Sequence, residues 1–306
     1  MVQGEYFDKD QKETIQASVK KNQKKTFKKN KKEYSRLADH IGLFPCVIIS
    51  PKDAELIEGG SELRRKFIDG IISQFNRKYL EELLKYNKAL LQRNTLLKSF
   101  AENRFYDKES LDLWNYQICE SGNYIFDQRK NFLTKFIPLF NEYYEKISGK
   151  RESVSLEYLS QLEEDDFEKL LEKNLPKDRA ACYSTCGIHK DDLQFSLNEI
   201  PLKKSGSQGQ QKTFLLALKL AQYAFLCKVK ETKPILLLDD IFDKLDILRV
   251  ENLLNIIKDD FYGQIFITDT HYDRMEEQLK KVERKYTIFE VEQGTIKKEN
   301  EKRPTK

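Results

Sequence analysis

The strongest indication of the fold is the run Ile235-Leu236-Leu237-Leu238-Asp239-Asp240. Four consecutive apolar residues predict a central strand that is buried on both faces, as in a parallel sheet. The two carboxylates that follow would lie beyond the carboxyl end of the strand, where open α/β sheets bind ligands. One carboxylate can hold a hydrated Mg²⁺, and its neighbour can orient or deprotonate a water molecule. An ordinary strand that ends in an acidic turn is the alternative.

The residues around this stretch alternate between predicted strands and helices. In order, they are a strand at 193–197, a helix from 207 to about 228, the strand at 235–238, a helix around 248–257, and strands at 264–268 and 286–291. Such alternation predicts a parallel α/β sheet. Upstream, residues 46–49 predict a buried strand, and residues 1–33 predict half-exposed antiparallel strands.

Between residues 77 and 148 the pattern changes, because apolar residues recur every three or four positions. This spacing predicts two long helices, which the polar stretch 103–110 separates. We expect them to form an antiparallel hairpin, a short arm inserted into the sheet domain.

A Ser/Gly-rich turn at residues 205–213 comes directly before an apolar helix. A helix start of this kind presents backbone N–H groups and the positive end of the helix dipole, and so it is suited to an anion. A P-loop would place Gly206, Lys212 and Thr213 in register, but Gln211 stands where the second glycine is required. That interpretation therefore fails.

The other interpretation is the Ser-x-Gly-Gln signature of ABC-type ATPases, here Ser207, Gly209 and Gln210. It lies about thirty residues before the acidic strand, which then has the pattern of a Walker B motif. In that class the signature of one subunit closes over the γ-phosphate held by the other, which implies a two-fold dimer with ATP at the interface. A simple Gly/Ser helix cap is the alternative for the turn alone.

Composition limits the class of protein. The chain has 306 residues, with 54 Lys+Arg against 50 Asp+Glu, and eight of its lysines lie between positions 20 and 32. Clustered ammonium groups favour polyanion binding, although a solvated lysine hairpin gives the same pattern. Five scattered cysteines favour a reducing cytoplasm over a disulfide scaffold. We expect neither a signal peptide nor a transmembrane helix. The Cys182, Cys186 and His189 spacing is a poor match to a zinc site.

Several stretches make the chain resemble the RecF family of bacterial recombination mediators, short-armed relatives of the SMC ATPases. They occur in family order and are SPKDAELIEGGSELRRKFID (50–69), YNKALLQRNTLLK (86–98), GIHKDDLQF (187–195), GSQGQQKTFLLALKLAQ (206–222) and LLLDDIFDKLD (236–246). The resemblance implies an α/β fold, an ABC-type ATPase head with a mixed sheet flanked by helices and an inserted antiparallel helical-hairpin arm. Its parts would be residues 1–75 (N-terminal part of the head), 76–148 (arm) and 149–306 (C-terminal part of the head).

The resemblance also implies roles for individual residues. Asp239 would be the Walker B acid that holds Mg²⁺ through water, and Asp240 the catalytic base. ATP held by the other subunit would be contacted by Ser207, Gly209, Gln210 and Lys212. The D-loop would include Leu245 and Asp246. The Q-loop residue would be Asp53, and the switch residue would be Asp269 or His271. Candidate DNA contacts are Lys24, Lys25, Lys28, Lys29, Arg64 and Arg65.

The sequence departs from the family in one respect: it contains no G-x-x-x-x-G-K-[ST] motif. We expect the P-loop segment to be missing from the N-terminal part of the head. Because the P-loop lysine and its backbone nest cradle the β- and γ-phosphates, we expect no ATP hydrolysis by this chain alone.

The functional expectation is a cytoplasmic, ATP-dependent DNA clamp near junctions of single- and double-stranded DNA. It would promote recombinase loading in DNA replication, repair and the SOS response, as an ATP-dependent homodimer with RecR and RecO partners. An ATPase-dead DNA-binding or scaffold module is the first alternative. A different SMC-like protein, such as a phage or defence ATPase, is the second.

Overall fold

A computed structural model describes residues 1–8, 11–20, 25–150, 152–242, 245–270, 276–277, 279 and 285–302. They form two compact units, Met1–Phe44 and Pro45–Lys306. The described strands are β1 (Val2–Asp8), β2 (Gln11–Ser18), β3 (Thr26–Lys29), β4 (Lys32–Glu33), β5 (Cys46–Ile49), β6 (Val154–Leu159), β7 (Asp192–Leu197), β8 (Ile200–Pro201), β9 (Ile235–Asp239), β10 (Ile265–Thr268), β11 (Tyr286–Glu292) and β12 (Thr295–Lys302). The described helices are α1 (Glu55–Glu58), α2 (Ser61–Phe75), α3 (Arg77–Asn103), α4 (Lys108–Ser148), α5 (Phe167–Ala181), α6 (Leu202–Ser205), α7 (Gln208–Lys230) and α8 (Ile247–Ile257).

The first unit is an antiparallel sheet in the order β1-β2-β3-β4, as the alternating sequence predicts. Ile15 in β2 is buried, and the ring of His40 contacts the rings of Phe27, Tyr34 and Phe44. These contacts give the small unit an aromatic cluster of its own.

A parallel sheet in the order β10-β9-β5 is the centre of the second unit. Leu236 and Leu238 of β9 are fully buried, and helix α7 packs against this sheet. The other face is less covered than the sequence predicts: Leu237 is half-buried, and its neighbours Ile48 and Phe266 are about half exposed. Successive side chains point to opposite faces, so a run of leucines does not by itself establish burial on both.

The strand predicted at 193–197 exists as β7, but it does not belong to the parallel sheet. It pairs antiparallel with β6 and β8 in a separate sheet. The prediction of one parallel sheet was wrong here because strand partners depend on residues distant in sequence, which local periodicity does not report.

Helices α3 and α4 confirm the two long helices predicted between residues 77 and 148. Asn76 and Asp107 cap them through their side chains. The last third of α4 belongs to the core of the unit, since Phe140 packs on Phe214 of α7 with ring centroids 4.7 Å apart. The domain boundaries at residues 75 and 148 stay a prediction.

A buried arginine connects α4 to the rest of the second unit. Arg129 is 2% exposed and donates to Asp69 of α2, to Asp191, and to the carbonyl oxygen of Ile188. The segment at residues 187–195 is therefore a structural junction. None of the described helices combines the length and the apolar character that crossing a membrane requires.

Candidate functional site

The acidic end of β9 is the centre of the site. Asp239 is exposed, and its Oδ1 accepts a hydrogen bond of 2.5 Å from the hydroxyl of Thr268 at the end of β10. Asp240 has a left-handed backbone with φ of 51°, and its N–H donates to the carbonyl of Thr268 at 3.2 Å. The chain therefore turns sharply directly after the strand, and the Asp239 carboxylate is held at the surface.

Acidic residues follow each of the three parallel strands at the same edge of the sheet. Asp53 follows β5, Asp239 ends β9 with Asp240 next, and Asp269 follows β10. Since the carboxyl ends of parallel strands share one edge, the predicted Q-loop, Walker B and switch residues are brought to the same side. His271 lies outside the described residues.

Asp53 is already bonded within the protein. Its Oδ2 accepts from the N–H of Ser50 at 2.8 Å, and its Oδ1 forms an ion pair of 2.7 Å with Lys219 of α7. Lys219 also donates to the carbonyl of Ile48 in β5. These bonds attach the Asp53 turn to α7.

The predicted signature turn is the N-terminus of α7. Ser207 is its N-cap and forms a capping box with Gln210: the Ser207 N–H donates to Gln210 Oε1 at 2.8 Å, and the Gln210 N–H donates to Ser207 Oγ at 3.3 Å. Gly209 lies within this first turn. The simple helix cap, which was the alternative to a signature motif at this turn, is therefore present. A capped helix start is also compatible with an anion site.

Lys212 connects the signature turn to the acidic end of β9. Its Nζ donates to the carbonyl oxygen of Asp240 at 2.8 Å. Two motifs separated by 28 positions are therefore in direct contact at one edge of the sheet.

The predicted D-loop leads into α8. Asp246 is the N-cap of that helix and accepts from the N–H of Arg249 at 2.8 Å, and Leu245 packs against the core. The structure thus gives Asp246 a capping role.

Sequence reasoning missed two residues at this site. Arg249 Nη1 donates to the carbonyl of Gly209 at 3.0 Å and to Thr213 Oγ1 at 2.6 Å, and its Nη2 pairs with Glu152 at 2.9 Å. Glu152 and Arg249 are 97 positions apart and belong to no motif, so no sequence signal identifies the pair.

The electrostatics of Glu152 favour its ionised form. Burial would raise its pKa, but hydrogen bonds from Tyr144 and Gln210 and the charge of Arg249 outweigh burial, and the pKa lies below its ordinary value. Burial, together with its hydrogen bond to Glu152, raises the pKa of Tyr144.

The candidate DNA contacts differ in their surroundings. Lys25 is exposed, Lys28 and Lys29 lie on β3, and Lys24 lies outside the described residues. Arg64 instead pairs with Asp192 at 2.7 Å, and Arg65 donates to the carbonyl of Asp191 at 2.5 Å. These internal bonds do not favour phosphate contact by the two arginines.

The residues considered for zinc have other partners. Cys186 is buried with its thiol toward the carbonyl of Leu170, and His189 contacts the hydroxyl of Tyr86 and the carbonyl of Ser184. Among the described residues, no group of three or more His, Cys, Asp or Glu could hold a metal ion.

Curated proteins named DNA replication and repair protein RecF align with almost the whole chain. The protein from Flavobacterium johnsoniae is 50% identical over 291 residues, which cover 95% of this chain and 81% of the relative. The protein from Phocaeicola vulgatus is 47% identical over 303 residues, which cover 98% and 81%. No protein-family model matches the chain.

Solved structures also indicate a similarity to RecF proteins. The structure described as the recombination mediator protein RecF-ATPrS in the RecFOR pathway has a TM-score of 0.79 and 28% identity, and the match covers 94% of this chain and 76% of that chain. An Smc head domain from Pyrococcus furiosus, with a TM-score of 0.50 and 17% identity, shares the fold alone. The predicted ATPase-head fold and the resemblance stated from the motifs are both confirmed. This chain therefore belongs to the RecF family of DNA replication and repair proteins.

Proposed function

We propose that this chain is a subunit of an ATP-dependent DNA clamp that acts near junctions of single- and double-stranded DNA and promotes recombinase loading. The bond between Lys212 Nζ and the carbonyl of Asp240 carries the proposal. It attaches the start of the predicted signature helix to the end of the predicted Walker B strand, the two elements through which each subunit of an ABC-type dimer would meet nucleotide. Solved relatives described as RecF-ATP and RecF-ATPrS support ATP as the nucleotide.

The residues at the strand end have the chemistry that a magnesium–nucleotide complex requires. Asp239 is exposed and oriented by Thr268, and a carboxylate oxygen is a ligand type that Mg²⁺ prefers. Asp239 would hold the ion through water, and Asp240 would orient or deprotonate the attacking water. When bound, Mg²⁺ neutralises negative charge on the β- and γ-phosphates.

The other assigned residues would act across a dimer interface. Ser207, Gly209, Gln210 and Lys212 would contact ATP held by a second subunit, with Leu245 and Asp246 beside it. Asp53 and Asp269 would sense nucleotide from the neighbouring strand ends. We further propose cytoplasmic location and RecR- and RecO-like partners, which the RecFOR pathway of the solved relatives supports.

A mixed-dimer experiment tests the proposal, because this sequence contains no P-loop. The chain is mixed with a RecF relative whose sequence includes a P-loop, on a fluorescent DNA with a single-strand/double-strand junction. We expect ATPγS with Mg²⁺ to strengthen association of the two proteins at least about fivefold. The Ser207→Arg variant should lose this gain, because a bulky cation replaces the small residue at the signature.

Ser205→Arg is the matched control, since Ser205 is also exposed and lies two positions upstream, in α6. It should keep the ATPγS-dependent gain. If DNA binding is the same with and without nucleotide, the clamp is excluded and the result supports the alternative, an ATPase-dead DNA-binding or scaffold module. Absence of DNA binding and of association would overturn the proposal altogether.

A further inference from the structure

Arg249 connects the beginnings of two helices at the candidate site. One guanidinium nitrogen donates to the Gly209 carbonyl at 3.0 Å and to Thr213 Oγ1 at 2.6 Å, both in the first turns of α7. The Nε lies 3.2 Å from Asp246 Oδ2, at the N-cap of α8. A planar guanidinium with several fixed donors can hold both helix starts at once, which a lysine ammonium cannot do in the same geometry.

Glu152 connects this arginine to the signature turn and to α4. Its Oε1 accepts from Arg249 Nη2 at 2.9 Å and from Gln210 Nε2 at 3.1 Å. Its Oε2 accepts from the hydroxyl of Tyr144, near the C-terminal end of α4. We call Tyr144, Glu152, Gln210 and Arg249 the Glu152 cluster.

The bonds of the Glu152 cluster are strengthened because the cluster is little exposed to solvent. The side chains of Glu152 and Arg249 are each only 11% exposed, so solvent screens their interaction less than it screens a surface pair. Gln210 also uses its Oε1 in the capping box, so both ends of its amide are fixed. A charged pair outside the motif is therefore bonded to the signature turn at Gly209 and at Gln210.

We propose that Glu152 and Arg249 are positioning residues that hold the Ser207–Gly209–Gln210 turn in the orientation that meets nucleotide, and that Tyr144 makes this orientation depend on the C-terminal end of α4. The inference rests on the proposed function, because it assumes that the turn contacts ATP in trans. Both residues would act through the bonds that they make to Gly209, Gln210 and Thr213.

Two conservative variants test the inference. Glu152→Gln keeps the size of the side chain and removes its charge, and Arg249→Lys keeps the charge and removes the fork of donors. In the mixed-dimer assay we expect each variant to raise the ATPγS concentration at half-maximal association about tenfold, since a misplaced group loses much of its effect. DNA affinity without nucleotide should stay within about twofold of the original protein.

Glu145→Gln is the matched control. Glu145 is also near the end of α4, but its side chain is 54% exposed and lies 3.9 Å from Lys150, outside the cluster. It should leave the ATPγS requirement unchanged. If Glu152 and Arg249 have a purely structural role, their variants will lower nucleotide-free DNA binding and the folded fraction together. The half-maximal ATPγS concentration will then be unchanged. That result would overturn the inference.

Hydrogen exchange gives a second measurement that needs no nucleotide. Both test variants should speed amide exchange at residues 206–212 and 141–148, whereas exchange in β7 should not change. Unchanged exchange at 206–212 in both variants would also overturn the inference. If the original protein shows no response to ATPγS, the proposed function fails, and hydrogen exchange still decides whether the Glu152 cluster orients the turn.

Discussion

Arg93 of α3 and Asp178 of α5 form an ion pair of 2.7 Å in which both side chains are fully buried. The same arginine donates to Ser184 Oγ and to Asn115 of α4, and the other oxygen of Asp178 accepts from the N–H and the hydroxyl of Thr185. The pair therefore joins both helices of the hairpin to α5 and to the turn that follows it.

We predict that Asp178→Asn lowers the free energy of unfolding by about 3 kcal/mol, because Arg93 then remains charged in the interior without its counter-ion. Chemical denaturation monitored by circular dichroism measures the change. Asp166→Asn is the control, since Asp166 pairs with Lys169 at 2.8 Å with both side chains over 70% exposed. An exposed pair contributes about 0–1 kcal/mol, so similar losses in the two variants would contradict the prediction.

Two helical glycines should respond oppositely to alanine. A Cβ at Gly122 of α4 would clash with the ring of Phe167, which is itself buried, whereas a Cβ at Gly70 of α2 meets no atom within 4 Å. We expect Gly70→Ala to stabilise the protein by about 0.5–1 kcal/mol, because alanine favours the helix. Gly122→Ala should destabilise it by about 1–3 kcal/mol through overpacking. Thermal unfolding of both variants tests this, and a gain at both positions would contradict the close contact.

The sequence predicted the elements of this fold better than their partners. The leucine run of β9, the capped start of α7 and the helical spacing of α3 and α4 are local patterns, and each element was found where it was expected. The pairing of β7 with β6 joins residues 33 to 43 positions apart, from Leu159 with Asp192 to Val154 with Leu197, and Glu152 and Arg249 are 97 positions apart. Periodicity over a short window carries no information at that separation.

The features of the candidate site also fall into two groups: those that a local sequence pattern predicts and those that depend on the packing of distant elements. The carboxylates of Asp239 and Asp240 could be predicted because a strand end in a parallel sheet is a place where ligands bind. The bond from Lys212 to the Asp240 carbonyl could not, because it depends on how α7 lies across the strand ends. For the same reason the sequence did not indicate that Arg64 is bonded to Asp192 and Arg65 to the carbonyl of Asp191.

His189 should make stability depend on pH. Burial lowers its pKa to about 4 from the ordinary 6.5, so between these values the unfolded state binds a proton that the folded state does not. Stability from this group is complete above pH 6.5 and decreases as the pH falls toward 4, by about 3 kcal/mol in total. His189→Asn should remove this part of the pH dependence when unfolding is measured across the interval. Histidine NMR gives the pKa directly, and titration of His189 near 6.5 would contradict the prediction.

The lysines of the first unit should contribute unequally to DNA binding. Replacing Lys24, Lys25, Lys28 and Lys29 together with alanine should lower DNA affinity and flatten its salt dependence, because fewer counterions are released from the phosphates. Within the set, Lys29 lies 3.0 Å from Glu13, which already neutralises much of its charge. We therefore expect Lys28→Ala to reduce the slope of log affinity against log salt by about 0.9, and Lys29→Ala by clearly less. Fluorescence anisotropy at a series of salt concentrations measures both slopes, with Lys29→Ala as the internal control. A slope unchanged in the fourfold variant would remove these lysines from the DNA interface.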